Sequence, residues 1–160
     1  MVDTFLSVVM VCTGNICRSP MAEGILRDRW LKRGHDDLIV TSMGIHGLDN
    51  NPPTEAARRV CEEHGIDISS HRSRPLIGDE LSDADLILTM DVVQREYVQL
   101  FFPIARDRVF LLGAWPGPEN RKNIIKDPIG GSLRVYRKTF EIIEGHINRI
   151  LEPLETLRKP

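Results

Sequence analysis

The spacing of hydrophobic residues along the chain alternates between a pattern typical of strands and a pattern typical of helices. Four short apolar runs rich in β-branched residues predict buried strands, at residues 5–11, 37–44, 83–90 and 107–113. After each run, apolar residues recur every three or four positions, which predicts an amphipathic helix. The predicted helices begin near residues 19, 54, 91 and 131. Because strands and helices alternate four times, we expect an α/β fold, with a four-stranded parallel sheet and helices on both faces.

Residues that commonly begin helices occur where the strand pattern gives way to the helix pattern. Ser19 is a predicted N-cap, and Thr54 and Asp91 are predicted to begin the next two helices. Cys61 falls on the apolar stripe of the second helix, so we expect its side chain in the core. Ligands of open parallel sheets bind at the carboxyl ends of the strands, and the segment between the first strand and Ser19 lies at such an end.

Length and composition fit a single domain over residues 1–160. The chain is 41% hydrophobic and 28% charged, with a formal net charge of −2. This balance gives no reason to expect a nucleic-acid or membrane partner, and no apolar stretch approaches the length of a membrane span. The N-terminus lacks the basic segment of a signal peptide. Three cysteines argue against a disulfide framework and favour a reducing, cytoplasmic location.

The loop after the first strand carries the candidate chemistry. Cys12 ends the strand, and Arg18 stands six positions later, where the helix begins. The backbone N–H groups from Thr13 to Arg18 can curl around one anion, since Gly14 admits close approach and Asn15 tolerates positive φ. Arg18 can fork two oxygens of a tetrahedral anion, and these surroundings favour a thiolate suited to attack on phosphorus. The alternative for Cys12 is a small buried side chain that completes the strand.

Two residues have open roles at this point. Phosphoryl transfer to a thiolate needs a proton donor for the leaving oxygen. Asp127 is the candidate, because it lies in the long loop 113–131 that follows the fourth strand at the same end of the sheet. An Asp-Pro pair is also a common turn, so this residue alone is not diagnostic. Ser19 hydrogen-bonds the sulfur of Cys12, caps the helix, or does both.

Five segments occur in the order and spacing of a known family: CTGNICRSPMAE, TSMGIHG, the His-Arg pair at 71–72, LILTMD and DPIGG. From about residue 5 to 152 the chain resembles the low-molecular-weight protein tyrosine phosphatases. The resemblance implies that Cys12 is the nucleophile and that Asp127 is the general acid, then the base that activates water against a phosphocysteine. It implies a phosphate-binding loop made of Thr13, Gly14, Asn15, Ile16, Cys17 and Arg18.

The same resemblance implies supporting roles. Asn15 and Ser19 would hold the loop in shape, and His71 would hydrogen-bond to that network. Cys17 would form a reversible disulfide with Cys12 under oxidation; packing on the underside of the loop is the other reading, and both can hold. Asp91, predicted as a helix cap, would also contact the network.

The substrate cleft departs from the family pattern for phosphotyrosine. Members that act on it usually carry aromatic residues after the Asp-Pro pair and just after the Ser-x-Gly segment, where this chain has Ile129 and Leu48, with His46 nearby. The glycine pair after Ile129 resembles the protein arginine phosphatases of the family, which carry threonine where this chain has Ile16. An aliphatic Ile16 suits a phenyl ring and leaves a guanidinium without a partner. We therefore predict a cleft lined by Ile16, Leu48 and Ile129 that prefers phosphotyrosine, with phosphoarginine as the alternative.

Other functions on similar scaffolds fit less well. Thiol-dependent arsenate reductases need two further cysteines, and only Cys61 lies outside the loop. A cysteine phosphocarrier must not hydrolyse its phosphate, so Arg18 and Asp127 argue against it. A non-catalytic phosphate-binding module would lack the aspartate that is present here. We expect a hydrolase without cofactor or metal, which acts on a phosphorylated protein or peptide, releases inorganic phosphate, and is monomeric or weakly self-associating.

Overall fold

A computed structural model describes residues 5–47 and 50–160 of the chain. The strands, in chain order, are β1 (Leu6–Cys12), β2 (Leu38–Gly44), β3 (Leu86–Thr89) and β4 (Val109–Leu111). The helices are α1 (Arg18–Lys32), α2 (Glu55–Glu63), α3 (Gly78–Asp83), α4 (Val92–Phe101) and α5 (Leu133–Glu155). Two short 3₁₀ turns cover Pro103–Arg108 and Arg121–Asn123.

The four strands form one parallel sheet in the order β2-β1-β3-β4, which confirms the predicted sheet. The chain passes from β1 to β2 on one side and then crosses to β3 on the other side of β1. This reversal makes the carboxyl end of β1 the point at which an open parallel sheet leaves a crevice. Cys12 is paired with Gly44 at that end, so the crevice opens directly above residue 12.

Helices cover both faces of the sheet, as predicted, and each face has its own core. Leu6, Val8 and Met10 of β1 face the cluster that contains the apolar sides of α1, α2 and α5. Val9 and Val11 alternate to the other face, where they meet α3, α4 and the turn before β4. The strand period therefore places consecutive β1 residues in two different cores, and both contribute to holding the end of β1 in place.

Several predicted boundaries are confirmed and others are corrected. Thr54 and Asp91 cap α2 and α4 through their side chains. The prediction of Ser19 as an N-cap is wrong: α1 begins at Arg18, Cys17 holds the cap position without a side-chain bond, and the Ser19 hydroxyl is used elsewhere. β3 and β4 are shorter than predicted. Before β4, the segment from Pro103 winds into a 3₁₀ turn, because proline fixes φ and lacks the N–H that a ladder needs.

Helix α3 was not foreseen, because its six residues are mostly polar and show no measurable period. Within the part of the chain that the structure describes, no helix has both the length and the apolar character needed to cross a membrane.

Candidate active site

The sulfur of Cys12 lies at the floor of the loop that joins β1 to α1. Its side chain is almost fully buried. Sγ accepts a hydrogen bond from the backbone N–H of Asn15 at 3.2 Å and lies 2.9 Å from Ser19 Oγ. The following residues curl around this atom, and α1 begins at Arg18 directly beyond them. A negatively charged sulfur at this place is stabilised by an amide, a hydroxyl and a helix N-terminus.

Asn15 holds the loop in this shape. Its φ of +58° is a left-handed conformation that asparagine tolerates better than most residues. The buried side chain donates to Ser19 Oγ at 2.8 Å and to Ser42 Oγ at 3.0 Å, and it accepts from the backbone N–H of Arg74 at 3.0 Å. On the backbone side, His71 Nε2 lies 2.7 Å from the Asn15 carbonyl oxygen. The predicted contacts of Asn15, Ser19 and His71 are therefore present in one network.

Arg18 is buried and fixed by the loops that surround it. Nη1 donates to the Ile125 carbonyl at 2.9 Å and lies 3.6 Å from Asp91 Oδ2. Nη2 lies 3.5 Å from Asp127 Oδ2. The guanidinium thus stands between the start of α1 and the loops after β3 and β4.

Asp127 stands opposite the sulfur loop at the surface. Its side chain is 40% exposed, so a bound substrate can reach the carboxyl group. Oδ1 accepts a hydrogen bond from the backbone N–H of Ile129 at 3.1 Å, which fixes the turn that follows. The structure brings Cys12, Arg18 and Asp127 together at the carboxyl end of the sheet, as the sequence predicted.

Sequence reasoning missed several residues that support the site. Ser42 of β2 and Arg74 bind Asn15 from elements far away in the sequence, and Arg74 is itself held by Glu80 of α3 at 2.6 and 2.8 Å. No local pattern marks such contacts. Gln94 is different, because it completes the capping box of Asp91 and donates to Thr13 Oγ1 at 3.0 Å. The spacing of Asp91 and Gln94 is a capping-box signal that could have been found.

The other two cysteines lie in different surroundings. Cys17 is buried beneath the loop, with Sγ 3.3 Å from the Tyr136 hydroxyl and 3.6 Å from Thr54 Oγ1. Burial raises the pKa of the Cys17 thiol, and burial together with Cys17 raises the pKa of Tyr136 to about 12. Cys61 lies in the core, as predicted, where burial raises its pKa to about 12.

The described part of the cleft is mainly aliphatic. Ile16 is half-buried and packs against the core, while Ile129 is exposed beside Asp127. Leu48, the third predicted wall, lies outside the described residues. His46 donates its backbone N–H to the Thr13 carbonyl at 2.9 Å, and its ring lies 6.0 Å from the ring of Tyr97. An aromatic pair therefore stands at the edge of the site, although the predicted walls are aliphatic.

The arrangement can perform displacement at a tetrahedral anion. The loop amides and Arg18 can bind three oxygens of such a group, the Cys12 sulfur faces its centre, and Asp127 can carry a proton to the leaving atom. Across residues 5–47 and 50–160, no group of three or more His, Cys, Asp or Glu side chains is placed to hold a metal ion.

Comparisons with known proteins agree with this geometry. The model of the family described as low molecular weight phosphotyrosine protein phosphatase matches residues 7–159. The chain is similar to a probable low molecular weight protein-tyrosine-phosphatase, EpsP, of Ralstonia nicotianae, with 38% identity over 142 residues, 89% of this chain and 91% of that one. Among solved structures, it is similar to a low molecular weight protein tyrosine phosphatase from T. tengcongensis, with 36% identity, a TM-score of 0.86, and coverage of 92% of this chain and 99% of that one. It is also similar to the YwlE arginine phosphatase from Geobacillus stearothermophilus, with 32% identity, a TM-score of 0.85 and 94% coverage of each chain.

Proposed function

Because this chain belongs to the low-molecular-weight phosphotyrosine protein phosphatase family, we propose that it hydrolyses phosphotyrosine in proteins through a phosphocysteine intermediate. One observation carries the proposal. The Cys12 sulfur lies within hydrogen-bonding distance of Asn15 N–H and Ser19 Oγ, and Arg18 is fixed between two carboxylates at the same mouth.

The first step transfers the phosphoryl group to sulfur. The Cys12 thiolate attacks phosphorus in line with the ester oxygen, so that an S–P bond forms as the P–O bond to the phenol breaks. Arg18 and the loop amides hold the three non-bridging oxygens. Asp127, protonated, gives its proton to the leaving phenolic oxygen.

The second step releases phosphate. Asp127 is now a carboxylate and takes a proton from a water molecule, whose oxygen attacks phosphorus on the side that the phenol has left. The S–P bond breaks, and its electron pair returns to Cys12 as a thiolate. Ser19, 2.9 Å from the sulfur, stabilises that thiolate in both steps.

Ile16 supports phosphotyrosine over phosphoarginine. Its aliphatic side chain lies in the phosphate loop and provides contact for a phenyl ring, but it provides no acceptor for the N–H groups of a guanidinium. A second candidate is protein arginine phosphatase activity, favoured by the glycine pair Gly130-Gly131 and by the similarity to the YwlE arginine phosphatase.

A side-by-side assay separates the two. Matched peptides carrying phosphotyrosine, phosphoarginine or phosphoserine are compared by kcat/KM. We expect the phosphotyrosine peptide to be hydrolysed fastest. Faster turnover of the phosphoarginine peptide would replace the first proposal with the second, and no turnover of any of them would remove both.

We also propose that Cys17 protects Cys12 from irreversible oxidation. Peroxide would oxidise the Cys12 thiolate to a sulfenic acid, and the Cys17 sulfur would then attack it, forming the disulfide and releasing water. Burial raises the pKa of Cys17, so this thiol is itself less readily ionised and oxidised than an exposed thiol. Dithiothreitol should restore activity after peroxide treatment, and it should restore much less in a Cys17→Ser variant. Equal recovery of both proteins would refute this role.

Two further predictions, on location and on partners, belong with the same proposal. The odd number of cysteines supports a cytoplasmic location. The substrate partner is a phosphorylated protein or peptide, and the protein would act as a monomer or a weakly self-associating species.

A further inference from the structure

Helix α4 and the turn after it carry an apolar stripe on their outer surface. We call it the α4 stripe, and its members are Val93, Tyr97, Leu100, Phe101 and Ile104. Four of these residues are between 59% and 73% exposed, and Tyr97 is half-buried. The inner side of α4 places Gln94 and Val98 in the interior instead. Contiguous exposed apolar surface on a folded protein marks an interaction site far more often than scattered apolar residues do.

The α4 stripe is continuous along the helix. Tyr97 lies four positions after Val93, and Leu100 and Phe101 lie three and four positions after Tyr97. These spacings place the four side chains on one side of the helix. The rings of Tyr97 and Phe101 have centroids 4.6 Å apart. Ile104 extends the same surface into the 3₁₀ turn that follows.

One end of the α4 stripe lies at the mouth of the candidate active site. Asp91, which caps α4, is 3.6 Å from Arg18, and Gln94 is hydrogen-bonded to Thr13. Val93 lies between these two residues, with its own side chain exposed. The ring of Tyr97 meets the ring of His46, which is hydrogen-bonded through its backbone to the phosphate loop. The stripe therefore begins at the rim of the site and leads away from it.

We propose that the α4 stripe binds apolar side chains of the phosphoprotein substrate near its phosphorylated residue, an inference that rests on the proposed function. From Val93 to Phe101 the helix rises about 12 Å. An extended peptide covers about 3.3 Å per residue, so the stripe accommodates side chains roughly three to six residues from the phosphorylated one. A substrate chain that places its phosphate in the loop has to cross the rim, and this apolar surface continues from that rim.

The charges of α4 favour a protein occupant over a lipid surface. A helix that binds an anionic membrane carries lysines or arginines beside its apolar face. Here Glu96 lies next to the stripe, and Arg95 is paired with Glu119 of the long loop. The remaining alternative is that a second copy of this chain covers the α4 stripe, and the experiment below distinguishes that case from substrate binding.

The test measures binding apart from catalysis. Phosphotyrosine peptides with leucines at positions three to six on either side are compared with peptides that carry serines there, by fluorescence anisotropy with the Cys12→Ser variant. We expect the leucine peptides to bind about tenfold more tightly, since one or two leucine-sized side chains become buried. Adding Leu100→Ser and Phe101→Ser should abolish that difference. The matched control is Leu31→Ser, an exposed apolar residue of α1, which should leave the difference intact.

Three results would overturn the proposal. Equal binding of leucine and serine peptides would do so, as would a preference that survives Leu100→Ser with Phe101→Ser. A dimer in sedimentation velocity that these two substitutions dissociate would assign the stripe to a second copy. Hydrolysis of p-nitrophenyl phosphate by the otherwise unsubstituted enzyme should be unchanged by Leu100→Ser with Phe101→Ser. Failure of the proposed function would appear separately in the unsubstituted protein, as faster turnover of the phosphoarginine peptide than of the phosphotyrosine peptide or as no turnover of either, while the peptide binding still decides the stripe.

Discussion

At the scale of single residues, Arg18 is held in place before any substrate arrives. It donates to the Ile125 carbonyl and lies between Asp91 and Asp127, 3.6 and 3.5 Å away. A fixed guanidinium spends little conformational entropy when it binds phosphate. A phosphate that binds Arg18 also replaces Asp127 as a partner of the guanidinium. The Asp127 carboxyl group is then free to carry a proton to the leaving oxygen.

The role of Asp127 predicts a dependence on the leaving group. Asp127→Asn should reduce kcat/KM, which reports the first phosphoryl transfer, by about a hundredfold or more for phenyl phosphate, because phenolate is a poor leaving group that needs a proton. The loss for p-nitrophenyl phosphate should be much smaller, because nitrophenolate leaves unaided. Asp91→Asn is the matched control, since it also removes a carboxylate beside Arg18 and should slow both esters to a similar degree. Equal losses for both esters in Asp127→Asn would remove it as the general acid.

The residues that could be predicted are those with a local signal. Cys12 and Arg18 stand in one short loop, and Asp127 stands in an Asp-Pro turn at the same end of the sheet, so the predicted topology indicated that they lie close together. Ser42 and Arg74 could not be found that way, because they reach Asn15 from positions 27 and 59 residues away. The Ser42 contact depends on the register of β2 against β1, and the Arg74 contact depends on the path of the loop before α3; one sequence reveals neither.

At the scale of elements, the conformation of the loop between β1 and α1 depends on one asparagine. Asn15 combines a left-handed backbone with side-chain bonds to Ser19, Ser42 and Arg74. Both features fix the amides that surround the Cys12 sulfur. The loop therefore owes its shape to a buried polar network as well as to the strand and the helix that it joins.

Two substitutions separate these contributions. Asn15→Ala loses the side-chain bonds and places a Cβ in the left-handed region, so we expect the free energy of unfolding to fall by about 2–4 kcal/mol. Asn15→Gly loses only the bonds and should be about 1 kcal/mol more stable than Asn15→Ala. Asn50→Ala is the control, because Asn50 has a similar φ of +59° but is exposed. Urea denaturation measures all three, and a glycine variant no more stable than the alanine variant would contradict the backbone contribution.

Element prediction from the sequence succeeded where two signals coincided. Helices α2 and α4 have both an apolar period and a capping residue, and both begin where predicted. At Ser19 the capping signal was misleading, because the hydroxyl contacts the Cys12 sulfur and does not cap the start of α1. Strand β4 is shorter than predicted at both ends. Residues 107 and 108 belong to the 3₁₀ turn, and after Leu111 only the N–H of Leu112 still bonds to β3, while its carbonyl accepts from Arg149.

At the scale of the whole molecule, ion pairs connect the end of α1, the start of β2 and the end of α5, at the end of the sheet opposite the candidate active site. Arg33 and His35, after α1, bind Glu155 at the end of α5, while Arg158 binds Asp37 before β2. Hydrogen bonds from Arg33 and His35 hold the pKa of Glu155 below its usual value, and that from Arg158 does the same for Asp37.

These lowered values predict how stability changes with acid. A carboxyl whose pKa is lower in the folded state stabilises the fold above its unfolded pKa, here 4.5 for Glu155, and that stabilisation is lost as the pH falls through the folded value. Glu155→Gln should therefore be less stable than the unsubstituted protein at neutral pH, and the difference should shrink below about pH 4.5. Glu141→Gln, at an exposed position of α5, is the control. Thermal unfolding from pH 3 to 7 measures this, and a difference that does not change with pH would contradict it.

Topology is the level at which sequence reasoning was most complete. Alternating periods predicted a parallel sheet covered on both faces, and the carboxyl end of β1 as the ligand site. The order β2-β1-β3-β4 places residue 12 at the crevice, because the strand connections diverge there.

The most direct test of the account is whether Cys12 is the nucleophile. Hydrolysis of p-nitrophenyl phosphate is compared between Cys12→Ser and Cys61→Ala, which changes a buried cysteine of the core. We predict that Cys12→Ser loses at least about a thousandfold in kcat, as removal of a nucleophile does elsewhere, while Cys61→Ala keeps its activity at a temperature where it remains folded. Turnover by Cys12→Ser close to that of the unsubstituted protein would contradict the account.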